Sequence, residues 1–197
     1  MAKLIAICGP DKVGKETQSR MLTAKLRECG YKVALVEVPV RDAVTHYVIY
    51  KMLKNGSAKK FPNVFQYFQH LNKLIFQKFV MKDLDEENDF IVLDRWKLSA
   101  IIYGYATGAD PVKTHQQCKS LRDPELTVVL SGRPHIERID DTYEADKQLQ
   151  SSVRFLYHQY VVNNPDMCVE INCNEHSSFI HQNIMNVMKL KFPRYNF

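Results

Sequence analysis

The chain has 197 residues, 45% of them hydrophobic and 25% charged, with a net charge of +5. That balance suits one sizeable globular core and leaves little length for a second. No apolar run approaches the roughly 20 residues needed to span a bilayer, and no Lys/Arg run marks a nucleic-acid surface. The mild positive charge fits an anionic substrate as well as it fits a merely solvated surface.

In chain order, the first apolar run is Leu4 to Cys8. It reads as a short buried strand, too brief for a signal peptide and without a small-residue cleavage site. Lys15 to Cys29 has helical periodicity, and Gly30 follows as a stop signal. Further apolar runs recur at Val33 to Val38, Phe90 to Leu93, Leu126 to Leu130 and Met167 to Ile171. Short continuous runs of this kind suit strands buried on both faces. Strands alternating with helical segments predict an α/β fold, a parallel five-stranded sheet flanked by helices. No internal repeat or linker interrupts the chain, so residues 1–197 are expected to form one domain. The five cysteines (Cys8, Cys29, Cys118, Cys168 and Cys173) are odd in number and lack CxxC spacing. Reduced thiols and a cytoplasmic setting are therefore expected.

Residues 63 to 81, NVFQYFQHLNKLIFQKFVM, form the most unusual segment. Projected at about 100° per residue, the apolar positions cover roughly two-thirds of the helix circumference. Gln66, Gln69, His70, Lys73 and Gln77 make up the remaining polar stripe. So broad an apolar arc predicts a helix covered on two sides, the second cover being another helix of the chain or a partner subunit. Asn72 falls inside the arc beside Phe65, Phe68, Phe76 and Phe79. A buried amide needs partners, either backbone or water on one reading or a bound ligand on another.

Chemistry first shows at Gly9-Pro-Asp-Lys-Val-Gly14-Lys15-Glu16-Thr17, directly after the first strand. Gly9 and Gly14 permit tight turns, and a helix starts near Lys15. Backbone N–H groups and the helix amino terminus would surround a phosphate, with the Lys15 ammonium reaching its outer oxygens. Seven of the eight positions of the P-loop pattern G-x-x-x-x-G-K-[ST] are met. Glu16 is the exception, standing where a hydroxyl normally ligates magnesium. A carboxylate can also ligate a hard cation and is favoured near a helix amino terminus, although it brings negative charge close to phosphates. Three readings stay open: Glu16 as a direct or water-mediated ligand, Glu16 facing outward with the metal held elsewhere, and lost activity. A second acidic site follows from Phe90-Ile-Val-Leu-Asp94-Arg95. Asp94 ends a buried strand at the edge where α/β sheets bind ligands. There Asp94 could hold a metal-bound water and Arg95 could bridge donor and acceptor phosphates. The plainer alternative is a surface Asp–Arg pair.

The motifs "GPDKVGKETQ", "VPVRD", "DRWKLSAIIY", "DPELTVVL" and "ERIDDTYE" together resemble the thymidylate kinase family of P-loop nucleoside monophosphate kinases, over most of the chain. The most specific piece is Asp94-Arg95-Trp96 with Ser99 and Tyr103, which is similar to the family's D-R-[YW]-x-x-S-x-x-x-[YF]. The resemblance implies the three-layer P-loop NTPase fold, ATP as donor with Mg²⁺, a (deoxy)pyrimidine monophosphate as acceptor, and a homodimer. It implies that Lys15 and the loop residues Gly9, Lys12, Val13, Gly14, Glu16 and Thr17 hold the donor phosphates, while Glu16 and Asp94 are candidate metal ligands from their own chemistry. Asp11 would meet the acceptor's sugar 3′-hydroxyl, Arg41 its phosphate, and Arg95 the transferring group. Phe68 would stack on the acceptor base, Asn72 would face the base edge, and Ser99, Tyr103 and Tyr143 would line the pocket. Arg133 and Arg138, in a short lid of roughly residues 132–144, would meet the ATP phosphates.

Two departures from the family pattern stand out. Glu16 replaces the hydroxyl, and Asn72 lies four residues after Phe68, where the family usually has an arginine reading the thymine edge. An amide can still pair with a pyrimidine, so thymine, uracil and 5-modified pyrimidines all stay open. Divergence of this size suggests a viral or phage version acting in host cytoplasm. One rival is a deoxynucleoside kinase with Glu37 of "EVPVR" as base, against which Arg41 argues for a monophosphate acceptor. Another is a non-catalytic nucleotide-binding module. Nucleic-acid binding is weaker, because the aromatics sit in apolar patterns and not among basic residues.

Overall fold

The structure is a computed structural model that describes residues 1–41, 44–134 and 141–197. Five parallel strands form one sheet in the order β2-β3-β1-β4-β5. They are β1 (Lys3–Cys8), β2 (Val33–Glu37), β3 (Phe90–Asp94), β4 (Leu126–Ser131) and β5 (Cys168–Asn172). Each expected strand is present, with ends displaced by at most one residue.

Strand alternation divides the core into two layers. Leu4, Ala6 and Cys8 of β1 face one side, with Ile91 and Leu93 of β3. Ile5 and Ile7 face the other, with Phe90 and Val92. Because side chains point to opposite faces with period two, a strand covered by helices on both sides must be apolar throughout, as β1 and β3 are. The helices α1 (Lys15–Glu28) and α9 (Ser177–Lys191) pack against each other on the second face. The first face carries α2 (Val44–Lys54), α4 (Pro62–Phe79), α6 (Lys97–Ala106) and α8 (Lys147–Asn163). Shorter helices α3 (Ser57–Lys60), α5 (Met81–Glu87) and α7 (Pro111–Lys119) complete the described elements. The edge strand departs from expectation: Leu35 and Glu37 of β2 are exposed, since only β3 flanks it. All five cysteines are unpaired thiols.

The unusual segment is α4, which ends at Phe79; after Val80 the chain continues as α5. Its burial inverts the simple amphipathic reading. Gln66 and Lys73 of the polar stripe are buried, whereas the apolar Val64, Tyr67 and Phe79 are exposed. Helices α2, α6 and α7 of the same chain supply cover on more than one side. Among the described residues, no helix is long and apolar enough to cross a membrane.

Candidate active site

Parallel strands deliver their C-terminal ends to one edge of the sheet, and there the motifs meet. Ile7 and Asp94 are register partners across β1 and β3, so the loop after β1 and the Asp94-Arg95 pair emerge side by side. Gly9 and Gly14 hold φ of 144° and 85°. A Cβ at Gly9 would collide with the Leu130 carbonyl oxygen, so only glycine lets the loop cross β4 this closely. Gly14 caps α1 without a side chain, which leaves the helix N–H groups to a ligand. The Lys15 ammonium is buried and donates to the Pro10 carbonyl, so it curls over its own loop. Burial, helped by the nearby Arg95 cation, lowers its pKa to about 8.

Asp11 is the hub of the loop. Arg95 Nη2 donates to Oδ1, the Tyr103 hydroxyl donates to Oδ2 at 2.7 Å, and Gln150 Nε2 donates to Oδ2 at 2.8 Å. Burial alone would raise the Asp11 carboxyl, but the Arg95 and Lys15 cations outweigh it and hold the pKa at about 2. Asp11 is therefore an ionised acceptor at neutral pH. Arg95 itself adopts φ of 70°, a region a residue with a side chain rarely visits. Its amide donates to the Ile7 carbonyl at 2.9 Å, and its guanidinium lies 5.6 Å over the Tyr103 ring.

Two cavities meet at Arg95. One, of about 760 Å³, is lined by Lys12 to Gln18, Asp94, Arg95 and the start of α9. The other, of about 190 Å³, is lined by Asp11, Phe65, Gln66, Gln69, Lys73, Arg95, Trp96, Ser99, Tyr103 and Tyr143, among others. Tyr143 stacks on Tyr103 at 6.1 Å with planes 3° apart, and Phe65 meets Tyr143 edge-on. Ser99 Oγ accepts from the Tyr157 hydroxyl at 2.9 Å. Lys12 pairs with Glu144 at 3.3 Å, which joins the phosphate loop to the far end of the expected lid.

Several expected residues stand elsewhere. Asn72 is fully buried and its amide is engaged: Oδ1 accepts from Val40 N at 2.8 Å, while Nδ2 donates to Val40 O and Thr45 Oγ1. It is a clamp on the chain after β2, and neither it nor Phe68 lines the smaller cavity. A shift along α4 explains this, since the cavity face carries Phe65, Gln66, Gln69 and Lys73. Arg41 is exposed and paired with Glu37 at 2.9 Å, outside both cavities. Glu16 is exposed and paired with Arg20 at 2.8 Å, on the solvent side of α1 but at the rim of the larger cavity. Arg133 is exposed, and Arg138, with the rest of residues 135–140 of the lid, lies outside the described residues.

Sequence reasoning missed Gln66, Gln69, Lys73 and Gln150 as site residues. For the α4 residues a signal existed, a polar stripe on a helix apolar almost everywhere else. Gln150 carried none, because only the docking of α8 brings it to Asp11.

The family model described as "Thymidylate kinase" matches residues 7–184. The chain belongs to the thymidylate kinase family. A putative thymidylate kinase, 251L of Invertebrate iridescent virus 6, is 25% identical over 130 residues, which cover 66% of this chain and 60% of that protein. The chain thus spans less than two-thirds of the length of this curated relative. Among solved structures, thymidylate kinase from Candida albicans superposes with a TM-score of 0.77 at 20% identity, covering 96% of this chain and 92% of the other. Thymidylate kinase from Ehrlichia chaffeensis gives 0.69 at 21% identity, covering 95% and 98%. At these identities the solved thymidylate kinases bear on the fold, which is the P-loop kinase fold.

Proposed function

We propose that this thymidylate kinase family member transfers the γ-phosphoryl group of ATP to the 5′-phosphate of a deoxypyrimidine monophosphate. The observation that carries the reading is Arg95, which lines both cavities at once. The larger cavity, floored by the phosphate loop, takes the donor, and the smaller takes the acceptor. A guanidinium between them stabilises charge on the moving phosphoryl group, the main task in a reaction that asks little covalent chemistry of the protein. A monophosphate acceptor is already a nucleophile at neutral pH and needs no general base. Asp11, held ionised, retains lone pairs for the acceptor's 3′-hydroxyl, and stacked Tyr103 and Tyr143 exclude water beside it. Lys15 neutralises the donor phosphates. For Arg41 to reach the acceptor phosphate, it must leave Glu37.

Thymidylate kinases are ATP-dependent and normally use Mg²⁺, and the residues fit such an ion. Asp94 Oδ1 is buried without a hydrogen-bond partner and borders the donor cavity. Among the described residues no group of three or more His, Cys, Asp or Glu forms a cage, the arrangement expected when nucleotide phosphates supply most Mg²⁺ ligands. Asp94, with Glu16 if it releases Arg20, would hold the ion, which would neutralise phosphate charge. A homodimer would use the exposed Tyr47, Tyr50, Val64 and Tyr67 on the paired helices α2 and α4.

The test is a coupled ADP assay over nucleoside monophosphates and the matching nucleosides, with ATP and Mg²⁺ or Mn²⁺. Turnover with dTMP or dUMP, none with thymidine, and loss on adding EDTA are expected. Turnover with thymidine instead would move the reading to a nucleoside kinase using Glu37. Nucleotide binding without turnover under either metal would make the chain a binding module.

A further inference from the structure

The acceptor cavity contains a buried cation that the phosphoryl-transfer chemistry does not use. Lys73 is 3% exposed and lines the cavity from α4, one turn beyond Gln69. Its ammonium donates to the Gln69 carbonyl at 3.1 Å and to Gln69 Oε1 at 2.9 Å. An ammonium has three protons and no lone pair, so one donor is uncommitted and its partner must be an acceptor. Among the described residues, the groups that act on Lys73 are Cys118, Arg95 and Cys8, and no carboxylate is among them. Burial brings its pKa down to about 8, which leaves it a cation at neutral pH.

A second observation points the same way. Gln66 is 3% exposed, lines the same cavity, and its Oε1 is buried without a partner. A buried cation without a counter-charge and a buried acceptor without a donor are both costly in an empty protein. Both costs fall if a ligand supplies the complement. Because Lys73 takes the Gln69 oxygen, Gln69 has its NH₂ to offer. This wall therefore carries donors from Lys73 and Gln69, and the uncommitted oxygen of Gln66 lies buried within it.

We propose that Lys73, oriented by Gln69 and assisted by Gln66, is the base-reading residue of this chain, and that it selects pyrimidines bearing a 4-oxo group over those bearing a 4-amino group. A 2,4-dioxopyrimidine offers two carbonyl acceptors and one imino N–H, the complement of that wall. A 4-aminopyrimidine turns an N–H₂ toward it. Gln66 can flip its amide to suit either ring, but Lys73 cannot become an acceptor while charged. The inference rests on the proposed kinase reading for its substrate, and assigns the reading of the base to residues other than Phe68 and Asn72.

The test compares wild type, Lys73→Met, Lys73→Arg and Gln66→Leu with dTMP, dUMP and dCMP as acceptors. Wild type should favour dTMP and dUMP over dCMP by on the order of 10²-fold or more in kcat/KM. Lys73→Met should collapse that ratio to within about 10-fold, while KM for ATP stays near wild type and the thermal midpoint does not fall. Lys73→Arg, which keeps a cationic donor, should restore most of the preference. An unchanged ratio in Lys73→Met overturns the proposal, as does an equal loss on dTMP and dCMP. If Lys73→Met does not fold, Gln66→Leu must lower the ratio for the proposal to stand. Should wild type phosphorylate no monophosphate, the kinase reading fails, but binding still decides this inference. Trp96 is the only tryptophan and lines the cavity, so its fluorescence on titration with dTMP and dCMP should report a preference for dTMP, and equal affinity overturns the inference.

Discussion

Arg95 concentrates most of what this site does into one side chain. It is held in a left-handed backbone conformation that costs about 1–3 kcal/mol where a side chain is present, so the fold must gain from placing it there. The gain is visible in its contacts: its backbone N–H continues the β1–β3 pairing, and its guanidinium holds Asp11 and covers Tyr103. Arg95→Ala should lower kcat by roughly 10²–10³-fold, the usual effect of removing one donor to developing transition-state charge. ATP affinity, measured by calorimetry, should change only a few-fold. Equal losses in both would place Arg95 in ground-state binding instead. The same variant removes the main cation that depresses the Asp11 pKa. In wild type the depressed pKa contributes stability that is present above the ordinary carboxylate range and lost as pH falls through about 2. Removal of Arg95 should therefore shift acid unfolding, followed by circular dichroism, to higher pH.

At the scale of elements, α4 shows how a helix can be legible and its role not. Its length, its Pro62 start and its broad apolar arc all follow from the residues. Which arc faces the core does not, because periodicity reports that a stripe exists and leaves open what lies against it. Here three residues of the polar stripe, Gln66, Gln69 and Lys73, line a cavity inside the protein, while α2, α6 and α7 cover other flanks. Asn72 belongs to the same element and has a mechanical task. Its amide ties α4 to Val40, next to Arg41, and to Thr45 at the start of α2. Asn72→Leu leaves those groups without their partner, at about 1–3 kcal/mol for each that stays buried. The expected outcome is a lower thermal midpoint together with a KM for the acceptor that rises more than the KM for ATP, since the loosened loop carries Arg41. A uniform change in both constants would show that the clamp serves stability alone. The reading of Asn72 from sequence left backbone and ligand partners open, and only the packing of α4 against the chain after β2 decides between them.

At the scale of the molecule, the site burdens the fold with buried cations. Lys15 and Lys73 both have pKa values lowered to about 8, chiefly by burial, against 10.5 for an ordinary lysine. Their charged forms are penalised in the folded state, so the unfolded chain binds more protons between about pH 8 and 10.5. Stability should consequently rise with pH through that window and be lowest below it, as far as these groups are concerned. Lys73→Met should be more stable than wild type at pH 7, by on the order of 1–3 kcal/mol in urea unfolding, and the difference should shrink toward pH 10. Activity should move the opposite way. The free-enzyme kcat/KM for ATP should fall above about pH 8 as Lys15 loses the proton that neutralises phosphate. Falling activity alongside rising stability would separate deprotonation from unfolding, and a parallel decline of both would refute this assignment.

The sequence by itself determined the parallel α/β architecture, the phosphate loop at Gly9 to Thr17 and the Asp94-Arg95 pair, because each is encoded within a few neighbouring residues. Continuous apolar runs, glycines at obligatory positive φ and an acidic strand end are local properties of a chain. Tertiary structure alone decided which face of α4 looks into the acceptor cavity, that Asn72 clamps backbone, that Gln150 reaches Asp11 from α8, and that Lys73 is buried with no carboxylate acting on it among the described residues. These depend on groups brought together from distant parts of the chain, and on the desolvation that follows when helices close over them. A residue's type states what it can bond; only the packed fold states what is left for it to bond.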